Sequence, residues 1–205
     1  MIYNIYNIPM MIPMKMPMKM SKKRIRVAIN GLGRIGRAFY KLARKSDEID
    51  VVAVNELAER ANMTYLLSHD SVYGKSAVTL EGVEYLSEKD PANLPWKELD
   101  IDVVIESTGF FASKEKAQAH IDAGAKRVII TAPIKDGETI LMGLNEEKLK
   151  DCAVSSNASC TTNAASPIIA ILDEAIGIEK AVLNTVHAYT VTQSLVDSPA
   201  GKKGL

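Results

Sequence analysis

The sequence predicts an α/β fold: a doubly wound, mostly parallel sheet with helices on its faces, followed by the start of a second, α+β unit. Three observations carry this. Near the start, a short β-rich run feeds directly into a glycine-rich turn and an amphipathic helix. Apolar runs of strand length then alternate with helical stretches to about residue 156, the order that parallel βαβ units require. Beyond that point the alternation gives way to one long helical run and one further apolar stretch.

The first strand is expected over residues 25–30. Gly31, Leu32, Gly33, Arg34, Ile35 and Gly36 follow at once, and a helix is expected from about Arg34, burying Ile35, Ala38, Phe39 and Leu42. This is G-x-G-x-x-G in a strand–turn–helix setting, the signature of a Rossmann-type dinucleotide-binding fold. The first glycine permits the tight turn, the second lets the backbone approach a pyrophosphate, and the third lets helix and strand pack closely. The helix N-terminus then faces the phosphates. A second strand over 51–55 delivers Glu56, twenty positions after Gly36. A carboxylate there accepts hydrogen bonds from ribose hydroxyls and repels a 2′-phosphate, which favours NAD over NADP as cofactor.

Further units follow in order. A helix is expected over 57–67, and a hairpin of 77–80 with 83–86 turns at Glu81 and Gly82. The strand 101–105 ends in Glu106, Ser107, Thr108 and Gly109. Ligands of open α/β sheets lie beyond the C-terminal strand ends, so Thr108 and Gly109 are candidates for the nicotinamide side. Ser113 can cap a helix over 114–123 that Gly124 stops. A strand over 127–130 ends at Thr131, and two more are expected at 139–143 and 153–156. His69 and His120 have no chemical neighbour in sequence and are assigned to structure or solvent.

The second unit opens on Ser156, Asn157, Ala158, Ser159, Cys160, Thr161, Thr162 and Asn163, just ahead of a helical run that Gly177 ends. Cys160 therefore lies at or near a helix N-terminus, where unpaired N–H groups and the helix dipole favour a thiolate and can hold an oxyanion. The run 181–186 reads as a strand that delivers His187. A cysteine at a helix start with a histidine nearby is a nucleophile–base arrangement; the competing reading is a buried structural cysteine and an incidental histidine.

Composition narrows the rest. Among 205 residues, 25 basic and 25 acidic side chains balance, so no basic face for nucleic acid or membrane is implied. Two cysteines make no disulfide framework, which points to a reducing, cytoplasmic setting. No apolar run is long enough to span a bilayer, and no metal site is expected. Seven of the nine methionines fall within the first twenty residues, in a repetitive Ile/Pro/Met/Lys stretch unlike a secretory signal. Residues 1–21 are read as a disordered tail, with Met20 as the native start.

Taken together, these residues resemble phosphorylating glyceraldehyde-3-phosphate dehydrogenase. The matching stretches are 28–37 (AINGLGRIGR), 69–74 (HDSVYG), 106–109 (ESTG), 156–163 (SNASCTTN) and 187–193 (HAYTVTQ). The resemblance implies a dinucleotide-binding domain over 22–157 and a partial substrate domain over 158–205. It makes Cys160 the nucleophile and His187 the group that activates its thiol. Ser159 and Thr161 match an inorganic-phosphate site, and Thr190 matches a contact to the phosphate of an aldehyde substrate. Arg34 and Ile35 match the pyrophosphate turn, Glu56 the ribose acid, Lys89 an adenine-side contact and Thr131 a nicotinamide-side one. The family usually has Asp at Glu56 and Arg at Lys89. The resemblance further implies a homotetramer for the complete enzyme, and it ends inside the loop after His187. These 205 residues are thus expected to be a fragment, weak in dinucleotide binding and inactive alone. Erythrose-4-phosphate dehydrogenase shares most of these motifs, although Thr190 matches it less well. A non-catalytic NAD-binding fragment is the remaining alternative.

Overall fold

The computed structural model describes residues 23–190 and 197–198. The expected tail over 1–21 and the 191–193 end of the last motif lie outside the described residues.

The elements run β1 (Ile25–Asn30), α1 (Arg34–Ala43), β2 (Ile49–Asn55), α2 (Arg60–Ser68), β3 (His69–Asp70), β4 (Gly74–Lys75), β5 (Glu84–Leu86), β6 (Val103–Glu106), α3 (Lys114–Asp122), β7 (Arg127–Ile130), β8 (Glu138–Thr139), β9 (Val154–Ser156) and α4 (Cys160–Ile176). Seven strands form one sheet in the order β5-β2-β1-β6-β7-β9-β8. Every neighbouring pair in it is parallel. β3 and β4 form a separate antiparallel pair.

A parallel sheet is buried on both faces, and β1 shows why its sequence suits that place. Val27 and Ile29 enter one cluster with Leu32, Tyr40, Val51 and Met63, while Ala28 enters the other with Trp96, Ile101, Val104 and Val128. From β1 the chain builds outward through β2 and β5, then returns to the other side of β1 with β6, β7 and β9. The winding reverses between β1 and β6, and a crevice opens at their C-terminal ends.

The face of α1 differs from the expected one. Gly36, Arg37, Tyr40 and Ala43 are buried, whereas Ile35 and Leu42 are exposed and Ala38 and Phe39 half-buried. Close approach outranks hydrophobicity here. A methyl group on Gly36 would lie 2.1 Å from the Gly31 carbonyl oxygen, so only the glycine face can rest on the turn. That face also carries Tyr40, whose hydroxyl donates to the Thr79 carbonyl at 2.6 Å.

Other corrections are local. α2 starts at Arg60 because the Glu56 carboxylate takes the Ala58 N–H (3.1 Å) and turns the chain first. No hairpin forms at 77–86: β5 pairs parallel with β2, and residues 77–80 carry no strand. Only Glu138–Thr139 of the stretch near 139–143 is a strand, since Asn145 Oδ1 captures the Leu141 N–H at 2.8 Å and bends the chain. Residues 181–186 form no strand; among the described residues none lies beside them to complete a ladder. Ser113 caps α3 as expected, accepting from the Lys116 N–H, and Gly177 ends α4 at φ 75°.

Gly36→Ala should therefore cost about 3 kcal/mol, the upper range for overpacking. Urea unfolding followed by circular dichroism measures it, and an unchanged midpoint would contradict this account of α1.

Candidate dinucleotide cavity and thiol–imidazole site

A cavity of about 550 Å³ opens where the winding reverses. Gly31 and Gly33 line it from the turn after β1, Glu56 from the end of β2, and Ser107 and Thr108 from the end of β6. Asn30, Asn55, Lys89, Phe110 and Phe111 also line it. Gly31 adopts φ +92°, and a methyl group on it would lie 2.7 Å from the Thr108 nitrogen, so a glycine is required to join the two strand ends. Gly33 is the opposite case: a methyl group there meets nothing within 4 Å, which leaves the top of the turn open. No side chain caps α1, so its first N–H groups can receive an anion.

Glu56 is held by two backbone donors, Leu32 N–H to Oε2 (2.8 Å) and Ala58 N–H to Oε1 (3.1 Å). Each oxygen keeps a lone pair for a ligand hydroxyl. Shape, open turn and placed carboxylate together fit a dinucleotide.

Not every predicted contact faces this cavity. Gly36 lies buried under the turn and Ile35 points to solvent. The Arg34 guanidinium turns away and bonds Asp70 (2.9 Å) and Asp197 (2.7 Å), over the ring of Tyr73. Burial would raise the Asp70 carboxyl, but the N–H groups of Tyr73 and Val72 and the Arg34 guanidinium outweigh it and hold it well below the usual carboxylate range. Gly109, at φ +77°, shapes the turn after Thr108 without lining the cavity. Thr131 lines a separate groove of about 240 Å³ with Phe39, Ser156 and Asn157. Thr108 thus shares a cavity with Glu56 and Lys89, and Thr131 shares a different groove with Asn157.

The second site is built by the turn into α4. Ala158 takes a left-handed backbone (φ 59°), and Ser159 caps the helix by accepting the Thr162 N–H at 3.1 Å. Asn163 Nδ2 ties the turn from behind, donating to the carbonyls of Asn157 (2.7 Å) and Ser159 (2.9 Å). Cys160 is the first residue of the helix, and its Sγ lies 3.2 Å from His187 Nε2. His187 Nδ1 donates to the Ala188 carbonyl at 2.6 Å, which leaves Nε2 to take the thiol proton. The hydrogen bond from His187 lowers the Cys160 pKa, helped by its charge and by the N–H groups of Thr161 and Cys160. The Ala188 carbonyl, then Cys160, raises that of His187. Ser159 and Thr161 flank the sulfur with their hydroxyl oxygens 2.9 Å apart. Cys160, His187 and Thr190 are exposed.

The sequence missed the buried polar partners of the cavity, Asn30 and Asn55 in its wall and Glu106 and His120 behind it. The one local signal was a carboxylate at the end of the apolar strand β6.

The fold defines a class, proteins with a Rossmann-type nucleotide domain, and here a helix-borne thiol–imidazole pair follows that domain. Comparison narrows it. The family model for the glyceraldehyde 3-phosphate dehydrogenase NAD-binding domain matches residues 25–114, and that for the C-terminal domain of the same family matches 159–204. The cytosolic glyceraldehyde-3-phosphate dehydrogenase of Trypanosoma brucei brucei is 44% identical over 190 residues, covering 87% of this chain and 57% of the relative. The enzyme of that name from Streptomyces coelicolor is 45% identical (85% of this chain, 56% of the relative), and the one from Thermotoga maritima 46% (85% and 57%). The chain belongs to the glyceraldehyde-3-phosphate dehydrogenase family, and its nucleotide domain is the NAD-binding domain of that family. It spans a little over half the length of these relatives.

The thiolate fraction should therefore rise at lower pH than in free cysteine. Alkylation of Cys160 by iodoacetamide, followed by peptide mapping across pH, should show a midpoint below that of free cysteine. His187→Ala should move the midpoint up and slow the reaction at neutral pH about tenfold; identical profiles would show that the pair does not form.

Proposed function

We propose that the complete protein carries out the NAD-dependent oxidative phosphorylation of glyceraldehyde 3-phosphate to 1,3-bisphosphoglycerate. The observation that supports this reading best is the 3.2 Å contact between Cys160 Sγ and His187 Nε2 at the start of a helix. Cys160 attacks the aldehyde carbon, and the N–H groups at the start of α4 hold the resulting oxyanion. His187, carrying the proton taken from the thiol, gives it to the oxyanion to make the hemithioacetal hydroxyl and takes it back as hydride leaves the carbon. Bound NAD supplies the hydride acceptor. The product on the enzyme is a Cys160 thioester. Inorganic phosphate attacks its carbonyl, the C–S bond breaks, and the acyl phosphate leaves.

The remaining roles follow the same reading. Ser159 and Thr161 serve the inorganic phosphate, Thr190 the substrate phosphate, Glu56 the ribose, Lys89 the adenine side and Thr131 the nicotinamide side. The division at 157/158 separates the two domains. The complete protein works as a homotetramer in the cytoplasm. One relative is named cytosolic, and no helix among the described residues is long and apolar enough to cross a membrane.

The isolated 205 residues bind dinucleotide without turnover, because Cys160 and His187 stand in water and no residue of α4 is buried. Two measurements test this. Titration calorimetry should show NAD binding at least about tenfold tighter than NADP, with Glu56→Ala erasing most of the difference. Equal affinities would remove the role of Glu56. NAD- and phosphate-dependent acyl-phosphate formation should be absent for the isolated chain, and clear turnover would overturn its inactivity.

A further inference from the structure

The floor of the dinucleotide cavity rests on a buried relay of polar side chains. Glu106, at the end of β6, is 1% exposed, Asn30 1% and His120 0%. Its direction can be read from both ends. The Trp96 indole, which can only donate, points Nε1–H at His120 Nδ1 from 3.0 Å. His120 therefore carries its hydrogen on Nε2, which donates to Glu106 Oε2 at 3.1 Å. At the other end, the Glu88 N–H donates to Asn55 Oδ1 and Asn55 Nδ2 donates to the Glu88 carbonyl, both at 2.8 Å. A backbone N–H cannot accept, so the Asn55 amide cannot flip. Its Nδ2 also donates to Asn30 Oδ1 (2.7 Å), and Asn30 Nδ2 is left to donate to Glu106 Oε2 (2.6 Å). Thr108 gives Glu106 Oε1 both its backbone N–H (2.8 Å) and its hydroxyl hydrogen. Four donors converge on one side chain, two at each oxygen, the pattern that a carboxylate's lone pairs satisfy in full.

Asn30 and Asn55 of this relay border the cavity, as do Thr108 and the segment carrying Glu88 and Lys89, which the relay fixes in place. The Thr108 hydrogen is spent on Glu106, and one lone pair takes the Phe110 N–H at 3.0 Å. What the hydroxyl still offers the cavity is an acceptor.

We propose that Glu106 is a positioning residue of the dinucleotide cavity. It holds the Thr108 hydroxyl as an acceptor for an N–H or O–H donor of the bound nucleotide, and through Asn30 and Asn55 it holds the Lys89 segment. The proposal rests on the reading of this cavity as the NAD site. Glu106 itself stays beneath the floor and acts through its neighbours.

The test is NAD binding to the full 205-residue chain by titration calorimetry. Glu106→Gln sets an amide donor either against Asn30 and His120 or against the Thr108 N–H, none of which can reverse, and should weaken binding about tenfold or more. Adding Asn30→Asp moves the anionic acceptor one link along. The new carboxylate would accept from Asn55, from the glutamine amide and from His120, whose Nε2 lies 3.4 Å from Asn30 Nδ2, leaving the glutamine oxygen for Thr108. The double variant should recover most of the affinity, and Asn30→Asp alone should not. Thr108→Val leaves the carboxylate in place and should still weaken binding about tenfold, whereas Thr108→Ser should keep it.

Unchanged affinity in Glu106→Gln and Thr108→Val overturns the proposal and leaves the NAD reading standing. Loss without recovery in the double variant overturns it as well, because packing alone would then explain the loss. If Glu106→Gln does not fold by circular dichroism, the Thr108 pair decides, and equal affinity of its valine and serine variants is the overturning result. No NAD binding by the unaltered chain would sink the cavity reading and the proposal together.

Discussion

The contact between Gly36 and the Gly31 carbonyl fixes the first half of this molecule. It brings α1 onto the turn after β1 closer than any side chain would permit. Ser107 closes the other side, with Oγ 2.7 Å from the Gly31 oxygen. The ends of β1 and β6 are thereby locked together at the place where the sheet reverses its winding. The cavity sits there because two diverging chain directions leave a gap that neither crossover covers. The unexpected face of α1 follows from the same contact: one glycine that must face inward turns Ile35 and Leu42 outward, whatever their hydrophobicity.

The two sites differ in how they are supported. The dinucleotide cavity stands on buried polar groups whose directions are set from both ends of a relay, so its walls are fixed before any ligand arrives. Such preorganisation reduces the ordering that binding requires. The thiol–imidazole pair has a different support. Its geometry is local, made by a left-handed residue, a serine cap and an asparagine tie at the start of α4, with His187 reaching in from a segment that has no regular structure. The pKa shifts of Cys160 and His187 come from each other and from nearby backbone groups, and not from burial. The proposed reaction asks for more than this pair, because an acyl intermediate needs water excluded around it.

The apolar side chains of α4 illustrate the same division. Ile168, Ile171 and Ile176 are exposed, as are Val182 and Val186 farther on. Their periodicity marks a helix with a face to bury, and no described element lies against that face. The nucleotide domain, by contrast, closes its two clusters on both sides of the sheet.

The sequence by itself determined the βα alternation around the glycine turn, Glu56 at the end of β2, Ser113 as a cap and Cys160 at a helix start. Each is a local property: a glycine spacing, a β-rich run, a hydroxyl before a helix. It also carried enough motifs to point to the family. Tertiary structure alone decided which face of α1 is buried, that residues 77–80 form no strand, and that Thr108 joins Glu56 and Lys89 while Thr131 shares a groove with Asn157. It also turned His120 from a residue with no neighbour into the partner of Trp96 and Glu106, which stand 24 and 14 positions away in the chain. The physical reason is the same in every case. Propensity and spacing act over one turn of chain, whereas close approach, burial and the direction of a hydrogen bond depend on what another strand brings within a few ångströms.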